Sequence, residues 1–229
     1  MKKKLTPLLT ALTVAVIALA AAPNAQAIPT IRLFDGITTI TVVDGSGGDS
    51  TAAVGAVTFN GAIGTWIVNV STGVTKPILG SATKPDMDLN SVNVSGGAGG
   101  TLTILFSEDG FGPTLGNSFA QVGGTINNAA GSTLSYTTFS SASNALFALT
   151  TPLTSQSFGS GAFSGSVFGS AVPITAPYSL TQKVVIGHVG SGASSFNASL
   201  TVPDGGTTAS MLGFALMGIA GLRRKLALA

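Results

Sequence analysis

The sequence predicts an all-β domain, and three observations predict it. Apolar and polar residues alternate at period two over short runs, glycine-rich separators divide those runs, and no run between them carries the helical period. An antiparallel β-sandwich accounts for all three, with a jelly roll as one arrangement of it. In residues 101–106, Leu102, Ile104 and Phe106 fall on one face. In residues 65–70, Trp66, Val68 and Val70 share a face, and near the end Phe196, Ala198, Leu200 and Val202 alternate with Ser195, Asn197, Ser199 and Thr201. Further strands are expected at 37–43, 54–59, 89–94, 117–122, 133–139, 145–150, 158–168 and 180–189, about ten or eleven in all. The stretch 158–168 spaces Phe158, Phe163 and Phe168 five apart, which is neither a strand nor a helix period. It reads as a bulged strand or an edge.

The two ends differ from this body. Lys2, Lys3 and Lys4 precede a mostly apolar run over 8–22, and Ala25-Gln26-Ala27 supplies a small-x-small cleavage pattern. Residues 1–27 therefore read as a secretory signal peptide cut before Ile28. At the other end, Val202-Pro203-Asp204-Gly205-Gly206 is followed by an apolar run to Leu222 and then Arg223-Arg224-Lys225. Eighteen residues, 205–222, give about 27 Å of helix, the lower limit for crossing a bilayer. The basic tip is expected to stay inside and the body outside. Three parts result: signal peptide 1–27, β-sandwich domain 28–201, and C-terminal signal 202–229 with one transmembrane helix. Pro203 and the two glycines point to an extended, accessible peptide ahead of that helix.

Motif, apolar span and basic tip in that order resemble the exosortase-sorted PEP-CTERM proteins of bacteria. The nearest variant is the one whose motif is Val-Pro-Asp-Ser-Gly, with Gly205 standing here where that motif has Ser. The resemblance implies that Val202, Pro203, Asp204, Gly205 and Gly206 are the processing residues at this end, as Ala25 and Ala27 are at the other. It implies signal peptidase and an exosortase-type enzyme as partners. It also implies a body delivered to the cell surface or extracellular matrix, held in the inner membrane only while a precursor.

Composition limits what the body does. Six of the ten basic residues lie in the two end segments, so four basic residues face seven acidic ones in 28–201, a net −3. No basic stripe exists to neutralise phosphates, and a nucleic-acid partner is excluded. The absence of cysteine removes disulfides, thiolate metal sites and thiol nucleophiles. His188, the single histidine, reads as a structural strand residue. The run Gly116-Asn117-Ser118-Phe119-Ala120 lacks the last glycine of a nucleophile elbow. Glu108, the single glutamate, reads with Asp109 as a solvated turn, and Trp66 as core. Asp86 and Asp88, and separately Asp44 and Asp49, are weak calcium candidates that lack the full loop pattern. No catalytic residue and no cofactor are expected. The sequence thus favours a non-enzymatic structural or adhesive domain associated with extracellular polysaccharide. A carbohydrate-binding module is the first alternative and a hydrolase the second.

Overall fold

The chain forms two six-stranded sheets packed face to face, as a computed structural model shows for residues 28–203 except 115, 128 and 174. Five later positions, Leu212, Gly213, Leu216, Met217 and Ile219, are also described and have helical backbone. Strands run in order β1 (Thr30–Phe34), β2 (Thr39–Val43), β3 (Ala56–Ile63), β4 (Trp66–Val74), β5 (Asp86–Gly96) and β6 (Gly100–Phe111). They continue with β7 (Asn117–Ile126), β8 (Thr133–Ser141), β9 (Thr151–Gly159), β10 (Gly161–Ala171), β11 (Tyr178–His188) and β12 (Gly192–Thr201). Sheet A has the order β2-β1-β6-β11-β8-β9 and sheet B the order β10-β7-β12-β5-β4-β3. Every pairing is antiparallel. The sequence-level expectation of an all-β antiparallel sandwich is what the chain adopts.

Period-two alternation places the core. Leu102, Ile104 and Phe106 of β6 face Met87, Leu89, Val92 and Val94 of β5 across the sandwich, and all are buried. Removing these side chains from water is the main drive for closing the two layers. The chain crosses between sheets at both lateral sides. The β2–β3 passage joins one pair of edge strands, and the tight turn between β9 and β10 joins the other.

That second crossing corrects the reading of 158–168 as one strand. Gly161, at φ 100°, turns the chain from the edge of sheet A to the edge of sheet B. The expected strand at 145–150 is also corrected, for this run is a loop lying over sheet A. Asn144 and Phe147 both take positive φ, which regular strand pairing disfavours. The Phe147 N–H donates to Ser107 Oγ at 3.0 Å, and the Arg32 guanidinium sits 3.9 Å above the Phe147 ring. The segment Thr30–Phe34, not counted among the expected strands, is β1.

The signal peptide 1–27 and most of the C-terminal signal lie outside the described residues. Among the described residues, no helix is long and apolar enough to cross a membrane. Leu212, Leu216, Met217 and Ile219, which fall in the expected span, are exposed.

Candidate functional site

Several polar side chains interrupt the inward rows, and the three largest described, Glu108, Gln182 and His188, are each held by a specific partner. Glu108 follows Leu102, Ile104 and Phe106 at the same parity on β6, so it points into the sandwich and is fully buried. This overturns the solvated-turn reading of Glu108. Its Oε1 lies 2.8 Å from Lys76 Nζ, and Thr75 Oγ1 donates to Oε2. Lys76 also donates to the Asp109 carbonyl at 2.7 Å and lies 4.0 Å over the Phe111 ring. Burial pushes the Glu108 carboxyl up and the Lys76 ammonium down from their ordinary pKa values, with the attraction between them opposing both shifts.

Gln182, the second, bridges the layers. Its Nε2 donates to the Met87 carbonyl of the opposite sheet at 3.0 Å, and its Oε1 accepts from the Tyr136 hydroxyl at 2.7 Å. The third, His188, is buried against Trp66, ring centroids 4.8 Å apart, with Nε2 2.7 Å from Ser194 Oγ. Here a serine and a histidine meet, but Nδ1 has no hydrogen-bond partner and so no carboxylate orients the ring. Ser118 of the elbow-like run is buried, donating to the Ser170 carbonyl.

A pH test isolates His188. Burial holds its pKa below the usual 6.5, so the folded chain keeps it neutral while the unfolded chain takes up a proton as pH falls. Its contribution to stability is complete above pH 6.5 and is lost on acidification from there down to the folded pKa. Chemical unfolding of wild type and His188→Phe between pH 7.5 and 5 should show the wild type losing stability relative to the variant. Parallel curves would mean that His188 titrates alike in both states.

The calcium candidates have partners of their own within the fold. Asp44 Oδ2 accepts from the Gly55 N–H at 2.7 Å. Asp49 accepts from the N–H groups of Thr51, Thr58 and Gly45 at 3.0, 2.8 and 3.1 Å. These oxygens close the loop between β2 and β3 by satisfying backbone donors. Among the described residues no group of three or more histidines or carboxylates gathers as a metal would require. Asp86 and Asp88 lie two apart on the outward side of β5, half-buried. Burial raises the pKa of both, and for Asp86 the neighbouring Asp88 charge adds to it.

Asp88 belongs to a different feature, a groove across the outer face of sheet B. Three adjoining hollows of about 680, 250 and 350 Å³ share Gly123 and Asn197, then Asn93 and Ser195. Strand register explains the lining. Ser166, Gln121, Ser199 and Asp88 stand in one cross-strand row over β10, β7, β12 and β5. Thr125, Ser195, Asn93 and Asn69 stand in another over β7, β12, β5 and β4. Between the rows, Gly123 pairs with both Ser164 and Asn197 and leaves the floor low. Asn197 Oδ1 accepts from the Ser91 N–H at 2.6 Å, beside the bulge where β12 slips against β5. The result is a trough of hydroxyl, carboxamide and carboxylate groups at one end, passing to a more apolar end where Ile67, Val94 and Ala193 join the lining. Among the described residues no lysine or arginine lines it, and Asp88 is the one titratable residue of the lining.

Sequence reasoning missed this groove. Its signal was present in the outward parity of β5, β7 and β12, where Asp88, Asn93, Gln121, Thr125, Ser195, Asn197 and Ser199 replace the apolar residues of the inward rows. Trp66 does not line it, in keeping with the core role read from the sequence.

At the end of the fold, Val202 follows β12 directly. It is 1% exposed, and its N–H donates to the Pro85 carbonyl at 3.0 Å. The expectation of a wholly accessible motif is therefore corrected at its first residue, which packs in the core. Pro203 is exposed.

Residues 201–226 match the VPDSG-CTERM motif, so the chain carries a C-terminal sorting signal of the kind that marks exported or cell-surface proteins. No curated protein matches the chain. Among solved structures it is similar to TmCBM61 in complex with β-1,4-galactotriose, with 9% identity, a TM-score of 0.31, and 62% of this chain and 92% of that one covered. It is similar to the K1 cleaved adhesin domain of Lys-gingipain from Porphyromonas gingivalis W83, with 12% identity, a TM-score of 0.33, and coverage of 64% and 95%. A third similarity is to carbohydrate-binding modules of the β-sandwich superfamily, with 12% identity, a TM-score of 0.29, and coverage of 75% and 71%. What this chain's groove holds follows from its own residues.

Proposed function

We propose that this is an exported bacterial surface protein whose body is released from a membrane-held precursor by an exosortase-type enzyme. In that role the β-sandwich serves as a structural or adhesive component that holds neutral extracellular polysaccharide in the groove of sheet B. The signal peptide and the apolar C-terminal run supply export and transient anchoring, and the VPDSG-CTERM match at 201–226 supports the sorting step. The mature N-terminus is then Ile28.

The observation that carries the binding role is the make-up of the groove. Side chains that both donate and accept hydrogen bonds, set in cross-strand rows, match the repeating hydroxyls of a glycan. With Asp88 on its floor and no cation along its length, the groove favours neutral over polyanionic chains. Binding without catalysis is the role proposed, because glycoside hydrolysis needs two carboxyl groups across the bond and the lining offers one.

Electrophoresis of the body through gels containing neutral or uronate-rich polysaccharide tests this. Retardation is expected in neutral polysaccharide. Asp88→Ala should weaken it about tenfold or more, since a charge-assisted hydrogen bond is worth about 1.5–3 kcal/mol. Gly123→Tyr should abolish it by filling the floor. A Cβ there meets only ordinary contacts, 3.5 Å from the Phe163 carbonyl oxygen and 3.6 Å from Ser164, so the fold tolerates it. Equal migration of all three proteins would refute the proposal.

A further inference from the structure

We infer that the sorting motif is divided between the folded body and the processing enzyme: Val202 and Pro203 are the last residues of the body, and the cut falls on the C-terminal side of Pro203. The inference rests on the processing proposed above and specifies where in the motif it acts.

Two contacts hold Val202, and a close backbone approach marks Pro203. Val202 emerges from β12, which is flanked by β7 and β5 in the middle of sheet B, with Thr201 in register with both Phe119 and Asp86. Its side chain is buried, and its N–H is held by the Pro85 carbonyl. Pro203 is exposed, but its carbonyl lies so near Gly116 that a Cβ on that glycine would stand 2.2 Å from the oxygen and 3.6 Å from Val202 Cγ1. Only a residue without a side chain lets the loop before β7 approach Pro203 this closely.

A protease binds its substrate extended, with main-chain groups on both sides of the cleaved bond available for pairing. The Thr201–Val202 and Val202–Pro203 bonds do not meet that condition while the body is folded. Reaching either would mean withdrawing Val202 from the core and breaking its bond to Pro85. Neither of the two contacts that hold Val202 involves the bonds after Pro203. Hydrolysis there places water's oxygen on the body's new carboxylate and sends the amine away with the tail. In transfer, an acceptor nucleophile takes the place of water.

Intact-mass analysis of the body released by producing cells reads the boundary. The expected C-terminus is Pro203 or a later residue. A body ending at Thr201 or Val202 overturns this inference while leaving processing itself in place. A protein recovered only as 28–229 overturns processing and the inference together. A second measurement needs no exosortase: proteinase K digestion of the signal-peptide-free chain in detergent. The protected fragment should end at Pro203 or beyond, and an end at Thr201 or earlier contradicts the inference. Gly116→Val, which pushes Pro203 off its seat, should move that end N-terminally by two residues or more. The wild-type fragment decides the matter on its own if Gly116→Val does not fold.

Discussion

Lys76→Ala should lower the stability of the domain by about 3–5 kcal/mol, because it strands the Glu108 carboxylate in the core with its charge uncompensated. For a domain of this size that corresponds to a drop in Tm of about 6–20 °C. The penalty should depend on pH with a definite sign. Burial already raises the Glu108 pKa above its ordinary 4.5, and loss of Lys76 removes the attraction that opposes the rise. As pH falls from neutrality toward 4.5, the folded variant takes up a proton that the unfolded chain does not yet bind, so its deficit shrinks. Replacing both partners, Lys76→Met with Glu108→Leu, should restore most of the loss, since a buried pair is often no better than apolar residues of its size. Thermal unfolding of the four proteins at pH 7 and pH 5 checks this. A single-variant penalty below about 1 kcal/mol, equal at both pH values, would show that the pair is solvated and structurally idle.

Trp66→Ala is expected to cost a similar amount, about 3–5 kcal/mol, by opening a cavity between the sheets. Trp66 is 2% exposed and packs on His188 across the sandwich, with Gly96 and Gly100 against its ring. It is the single tryptophan, so its emission reports directly on the core. The wild-type spectrum should be that of a buried indole and should not change when polysaccharide binds, because Trp66 does not line the groove. A ligand-dependent shift in its emission, or a loss of stability under about 1 kcal/mol on truncation, would place Trp66 at the surface instead.

Much of the fold could be read before the structure, and the reasons for the misses are physical. Alternation located β6, β7, β8, β11 and β12 because each keeps one face in the core, although residues 178–182 of β11 are buried on both faces. The same alternation runs on through Leu102, Ile104 and Phe106 into Glu108. The parity of that residue already placed it inside, but a carboxylate beside Asp109 and Gly110 reads as a turn when its partner, Lys76, stands on a remote segment. The apolar run at 145–150 misled because its burial comes from lying on the outside of a sheet. The groove was less legible still. Outward Ser, Thr, Asn and Gln look like ordinary solvated positions in a single strand. Only the register of β10, β7, β12 and β5 shows that they form rows with a glycine floor. The tail motif was legible as a motif, since residue order alone defines it. The alternation through Phe196, Ala198 and Leu200 already set its first valine on the core face; what no local pattern shows is that Pro85 holds its N–H and Gly116 lies against the next carbonyl.

On this reading the outward face of sheet B is the working surface of the exported body. Backbone amide chemical shifts of residues 28–203, recorded while a neutral oligosaccharide is added, test it most directly. Shifts should move for Asp88 and Asn93 on β5, Gln121, Gly123 and Thr125 on β7, and Ser195, Asn197 and Ser199 on β12, while those of the inward-facing Trp66 on β4, and of Glu108 and the rest of sheet A, stay in place. Shifts that map to sheet A or to the loop over 142–150, or a spectrum unchanged by any neutral glycan, would contradict it.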